Sequence, residues 1–273
     1  MNDKKLRIMV IGAHPDDCDI TAGGAAAKWA AAGHCVKFVS ATNGATGHHS
    51  EAPHVLAQRR AAEAKASAAI IGIDVEILPI QNGMMEPSNA NRWTFIRLIR
   101  LFEPDLILTH RPNDYHPDHR ITSQLVADSS YLVRVPYNAP EAPPLRYSPA
   151  IAYVNDNFQK PIPFQPDVVV AIDDVIDKKI DMIRCHTSQV FEWLPWADGC
   201  LDKVPSDPAG RRQFVIARWG ARSRAIADKF RDKLIARYGR QEGLAVQYAE
   251  AFEGCEYGAK LDAPAIERLF GGM

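Results

Sequence analysis

A chain of 273 residues with a formal net charge of −1 has no basic field with which to hold nucleic acid or an anionic membrane surface. Its 47% hydrophobic and 24% charged content is that of an ordinary soluble globular protein, and its length suffices to bury one large core. The five cysteines, at 18, 35, 185, 200 and 255, are odd in number, dispersed and without CxxC spacing, so reduced thiols and a cytoplasmic location are expected rather than a disulfide framework.

Met1–Lys5 carries two lysines, but the apolar run behind it stops at Gly12, too short for a secretory leader or a membrane span. Leu6–Ile11 (LRIMVI) is apolar except for Arg7 and reads as a strand buried on both faces. Ala22–Ala32 reads as an alanine-rich helix ended by Gly33, Val36–Ala41 as a strand, and Val55–Ile71 as a helix stopped by Gly72. Val75–Ile80 and Leu106–Thr109 read as strands on either side of a helix at Arg92–Phe102. Pro117 suits the first turn of a helix running to Ala127. Prolines crowd residues 134–166 around a short strand at Ala150–Val154, a segment expected to form a rim over the sheet's carboxyl edge. Val168–Ile172 is a further strand, Val175–Cys185 a helix, and Ala221–Tyr238 a long charged helix.

Alternating strand and helix predicts an α/β fold: a Rossmann-like, mostly parallel sheet flanked by helices, with a single domain over 1–273. With strand order 3-2-1-4, the first and fourth strands meet where the winding reverses, and open α/β sheets bind ligands beyond the carboxyl ends at that point. Two polar clusters follow those two strands: Ala13-His-Pro-Asp-Asp17 and His116-Pro-Asp-His119. His14, Asp16, Asp17, His116, Asp118 and His119 are the donor types of a catalytic zinc site. Each also has a plainer reading, Asp16 or Asp17 as a helix cap and His116 as a loop histidine.

AHPDD and HPDH at these positions resemble the PIG-L/LmbE-like family of zinc-dependent N-deacetylases. The likeness runs over roughly residues 6–190 and takes in Thr42-Asn-Gly44, Arg60-x-x-Glu63 and Cys185-His-Thr-Ser-Gln189, with Tyr248–Phe252 (YAEAF) as a weaker echo. It implies an LmbE-like fold and removal of an N-acetyl group from an amino sugar or its conjugate. The same resemblance makes His14, Asp17 and His119 the metal ligands, Asp16 the general base and His116, as an imidazolium, the oxyanion stabiliser and acid. Asp118 then orients a histidine, and Arg60 and His186 become substrate contacts. Fe²⁺, Mn²⁺ and Co²⁺ suit two histidines and a carboxylate as well as Zn²⁺.

Departures from the family pattern bear on substrate. Cys18 stands where many relatives carry glutamate, and two histidines, His48 and His49, stand in a loop where many have an acid. Arg111-Pro-Asn-Asp-Tyr115 leads into the second cluster, which makes Asn113 and Tyr115 candidate substrate contacts. Phe191, Trp193 and Trp196 suit a sugar platform, a core or a homo-oligomer contact. The alternative activity is metal-dependent elimination or isomerisation of a non-acetylated sugar or glycoside. A nucleotide-binding module is disfavoured, because GAHPDD lacks the glycines that GxGxxG offers a pyrophosphate. The expected partner is a small molecule, not nucleic acid or membrane.

Overall fold

In the computed structural model, residues 5–273 are described; the start of the chain, with the first of its two lysines, lies outside them. Strands β1 (Arg7–Gly12), β2 (Cys35–Ser40), β3 (Asp74–Ile77), β4 (Leu106–Thr109), β5 (Ala150–Val154), β6 (Val168–Ala171) and β7 (Ala249–Gly254) form one seven-stranded sheet. Its order is β3-β2-β1-β4-β5-β7-β6, so the anticipated 3-2-1-4 arrangement is extended on one side. The first five are parallel, whereas β7 runs antiparallel to both β5 and β6. The antiparallel β7 comes from the segment that carried the YAEAF echo, where no strand was expected.

The period of two explains why β1 is apolar throughout. Ile8 and Val10 enter one core with Trp29, and Met9 and Ile11 enter the opposite core with Phe95, Ile96 and Ile99. Each such side chain, fully buried, contributes about 1.5–3 kcal/mol. Helices cover both faces: α1 (Asp17–Ala31), α2 (Pro53–Ile71), α3 (Asn89–Phe102), α4 (Pro117–Leu132) and α5 (Ile176–Cys185). Glu250 of β7 braces α1 from beneath, accepting from the Gly24 and Ala25 backbone N–H groups at 2.8 Å and pairing with buried Lys179 at 2.6 Å.

Beyond α5 the chain makes a π-helical turn at Ser188–Trp193, then α6 (Leu194–Ala197) and α7 (Pro208–Val215). A second π-helical turn at Ile216–Gly220 leads into α8 (Ala221–Lys229), α9 (Arg231–Tyr238) and α10 (Arg240–Ala245), and α11 (Ala263–Phe270) follows β7. The single helix expected over Ala221–Tyr238 is broken at Phe230, whose backbone leaves the helical region at φ −114° and ψ 34°. The break lets Phe230 bury among Phe164, Val169 and Ala251 before the helix restarts.

The carboxyl-edge rim is present, but only residues 154–158 of the proline-rich segment line it. Residues 133–149 run along the opposite edge, because α4 must carry the chain back to start the parallel strand β5. Buried Arg100 holds that stretch by donating to the carbonyls of Val133, Ala139 and Ala142 at 2.9–3.0 Å. Among the described residues all five cysteines are free, and no helix is long and apolar enough to cross a membrane.

Candidate active site

β1 and β4 are hydrogen-bonded neighbours, so the loops after them open at one place, the floor of a cavity of about 510 Å³. Gly12 ends β1 where a side chain would not fit: a Cβ there would lie 2.6 Å from the Cβ of Asp17. The first turn of α1 therefore packs directly on the strand end. Asp17 Oδ2 accepts from the His14 backbone N–H at 2.7 Å, which folds the His-Pro-Asp-Asp turn.

Three ligand atoms converge there. His14 Nδ1 lies 3.4 Å from Asp17 Oδ2, His119 Nε2 lies 3.3 Å from His14 Nδ1, and His119 Nε2 lies 3.5 Å from Asp17 Oδ2. Donors placed about 2.0–2.1 Å from a tetrahedral ion stand about 3.3–3.4 Å apart, so this triangle fits one. The far nitrogen of each imidazole faces a carboxylate, His14 Nε2 at 3.2 Å from Asp118 Oδ2 and His119 Nδ1 at 3.1 Å from Asp114 Oδ1. That backing fixes tautomer and ring direction at metal sites. Asp118 is itself held by the Gly83 backbone N–H at 2.7 Å.

The electrostatics follow from this crowding. Burial opposes a charge on His14, but its hydrogen bonds with Asp118 and Asp17 outweigh that and raise its pKa to about 9. Burial likewise opposes ionisation of Asp17, yet His119 and His110 hold it well below the usual carboxylate range. A cation entering the triangle displaces protons rather than finding an empty apolar hole.

His110, the first residue beyond β4, was not singled out in the sequence. Its ring stacks on His119 with centroids 3.9 Å apart, and its Nε2 accepts from the Ala13 backbone N–H at 3.0 Å. That lone pair is thereby committed, which counts against the cluster of Asp17, His110 and His119; His14 and His119 also converge with His116. The signal for His110 was its position at a strand's carboxyl end beside β1.

Asp16 stands at the N-cap of α1 but makes no capping hydrogen bond. Its Oδ1 instead accepts from Arg60 Nη2 at 2.7 Å, and its Oδ2 has no partner among the described residues. Arg60 is buried and lines the cavity. Gly44, at φ 66°, lets the loop after β2 pass over Arg60, since a Cβ there would lie 2.4 Å from Nη1. Glu63 does not pair with Arg60; it accepts from the Ser188 backbone N–H at 2.8 Å and faces Arg59 Nε at 3.2 Å.

His116 caps α4, its Nδ1 accepting from the Asp118 backbone N–H at 3.1 Å, which leaves the proton on Nε2. The imidazolium expected from sequence is replaced by a neutral ring. Burial and the neighbouring His14 and His119 push its pKa down to about 4.

Two expected substrate contacts are corrected. His186 is fully buried, with Nε2 3.0 Å from Asp19 Oδ2, and it does not line the cavity. It lies behind α1, where it ties the end of α5 to that helix. Asn113 also lies outside the lining, because the turn that follows closes on Asp114, whose Oδ1 accepts from the His116 backbone N–H at 2.9 Å. Tyr115 does line the cavity, as do Trp193 and three residues the sequence did not flag, Arg218, Trp219 and Arg222. Phe191 belongs to the core, and Trp196 stacks on His49 with centroids 4.8 Å apart. His48 Nε2 lies 3.2 Å from Glu192 Oε2, which makes the histidine loop part of the rim's packing.

An α/β sheet with a candidate metal centre at its switch point, flanked by the Arg60-held carboxylate of Asp16, defines the class: an enzyme of the Rossmann-like hydrolytic kind. The profile of the family described as PIG-L, GlcNAc-PI de-N-acetylase, matches residues 9–130. The chain is 31% identical over 302 aligned residues to the 1D-myo-inositol 2-acetamido-2-deoxy-alpha-D-glucopyranoside deacetylase of Thermomonospora curvata, covering 89% of this chain and 97% of that one. It is 26% identical over 204 residues to the 4-oxalmesaconate hydratase of Pseudomonas putida, covering 71% of this chain and 78% of that one. The solved N,N'-diacetylchitobiose deacetylase of Pyrococcus horikoshii superposes with a TM-score of 0.70 at 25% identity, over 92% of this chain and 84% of that one. The chain belongs to the PIG-L family.

Proposed function

We propose that the whole chain acts as one zinc-dependent N-deacetylase domain, which removes an acetyl group from an amino sugar or an amino-sugar conjugate. The observation that carries this reading is the His14–Asp17–His119 triangle, with each imidazole backed by a carboxylate and with Asp16 beside it. When bound, zinc supplies a Lewis acid and lowers the pKa of a coordinated water. Asp16 has one oxygen fixed by Arg60 and the other free. The free oxygen takes a proton from water as the water oxygen adds to the amide carbon, and then delivers it to the departing nitrogen. His116 donates its Nε2–H to the carbonyl oxygen as that oxygen gains charge. Water and amide are consumed, and acetate and amine are produced.

The test is amine release from a panel of N-acetylated sugars by zinc-loaded protein, with chelated protein as control. Release that requires zinc supports the reading, and silence across the panel overturns it. A second reading, addition of water to a carbon–carbon double bond, is favoured by the similarity to the Pseudomonas putida hydratase. Loss of ultraviolet absorbance from an unsaturated acid, without acetate, would select it.

A further inference from the structure

Four arginines line the cavity, and three already have acidic partners. Arg60 pairs with Asp16 at 2.7 Å; Arg111 lies 3.2 Å from Asp156 and 3.1 Å from Glu253; Arg218 pairs with Asp198. Arg222, in the first turn of α8, has no hydrogen bond or ion pair with any described residue. The acids of the lining are spent elsewhere: Asp16 on Arg60, Asp156 on Arg111, Asp114 on His119, and Asp17 in the metal triangle. Solvent reaches Arg222, yet the cavity walls take its guanidinium partly out of water and lower its pKa against the attraction of Asp17 and Tyr115. A divalent ion in the triangle would cancel the charge of Asp17 and leave Arg222 uncompensated.

The backbone points the same way. Both π-helical turns deliver residues to this wall, Gln189 and Trp193 from Ser188–Trp193, and Arg218 and Trp219 from Ile216–Gly220. Such turns are rare and are frequent at functional sites. Here the second one sets the start of α8 facing the site. Tyr115 and Phe158, with ring centroids 6.2 Å apart, supply flat apolar surface on the rim.

We propose that Arg222 is the anion-recognition residue of this cavity, so that the natural substrate carries a compact oxyanion, a carboxylate or a phosphate, away from the bond that reacts. A guanidinium presents paired donors that match either group. The inference rests on reading the cavity as the substrate site, but not on which bond is cut there.

The test titrates zinc-loaded protein with glutarate, inorganic phosphate and neutral glutaramide, comparing wild type with Arg222→Gln and Arg222→Lys. Loss of one charge-assisted, bidentate contact corresponds to on the order of ten-fold weaker anion binding in Arg222→Gln, with Arg222→Lys intermediate and glutaramide unaffected. Whichever of glutarate and phosphate binds the wild type more tightly identifies the anion. Equal affinity in wild type and Arg222→Gln, as for an anion held only at the metal triangle, overturns the proposal. Amine release is scored separately. A protein that binds anions through Arg222 but deacetylates nothing sinks the deacetylase reading and leaves this one standing.

Discussion

The two walls of the cavity are built in different ways. The wall bearing the proposed metal triangle rises from the ends of β1 and β4, which are paired along their length in the middle of the sheet. Its side chains are fixed by short polar contacts to backbone and carboxylates of the same two loops, with Gly83 holding Asp118 and Arg60 holding Asp16. The opposite wall comes from π-helical turns and short helices of the last third of the chain, set by packing of Phe191, Val215 and Trp219 on α5. One wall can therefore keep its geometry while the other changes.

The most severe way to break the comparison is to remove the proposed base, Asp16. Asp16→Asn is expected to lower turnover by about 10²–10⁴-fold, the range for general acid–base catalysis. Its zinc content should stay at the wild-type level, because Asp16 lies outside the triangle. Elemental analysis and amine release on one preparation decide the matter; a loss under ten-fold would remove Asp16 from the role. Asp118→Ala comes next, freeing His14 Nε2. Loss of such backing weakens metal affinity or activity by about 10–100-fold. Competition with a chromogenic chelator reads the affinity directly, and an unchanged value would mean that His14 is oriented by Asp17 alone.

The same division explains what was legible in the sequence. β1 to β4 and their helices could be read because β1 and β4 are apolar and buried on both faces, and glycine or proline marks the ends of α1, α2 and α3 and the start of α4. The convergence of His14, Asp17 and His119 was legible because they stand next to those strand ends. His186 misled because a buried histidine paired with Asp19 looks, in sequence, the same as one facing substrate. The second wall was opaque for a related reason. Nothing local in Ile216–Gly220 specifies a π turn, and Arg222 is placed by the packing of Trp219 and Val215 rather than by its neighbours in sequence. β7 was missed because Glu250 interrupts its apolar pattern, and only the structure shows that buried Lys179 answers it.

A smaller perturbation separates the walls more finely. Arg59 ties α2 to the first π turn, with Nη1 2.8 Å from Glu192 Oε2 and Nη2 3.3 Å from Thr187 Oγ1. It touches none of the catalytic groups. Partly exposed pairs of this kind contribute about 1 kcal/mol or less, so Arg59→Ala is expected to raise KM by no more than about five-fold with kcat held. A fall in kcat with KM unchanged would show that the π turn positions the reacting groups, and the two walls would then be one unit.

The mildest test concerns the support behind both walls, the buried contact of His186 with Asp19 that joins α5 to α1. Burial opposes a charge on His186, but the charge and hydrogen bond of Asp19 outweigh it and raise the pKa above the ordinary 6.5. A raised folded-state pKa means that the pair's stabilisation is fully present below pH 6.5 and fades as pH rises through the folded value. His186→Gln keeps a donor towards Asp19 without the titration. The urea midpoint of the wild type should therefore fall more steeply than that of the variant as pH rises above 6.5, while the two share a slope below it. Parallel curves across that range would mean that His186 stays neutral in the folded protein. The tie between α5 and α1 would then be an ordinary hydrogen bond, indifferent to pH.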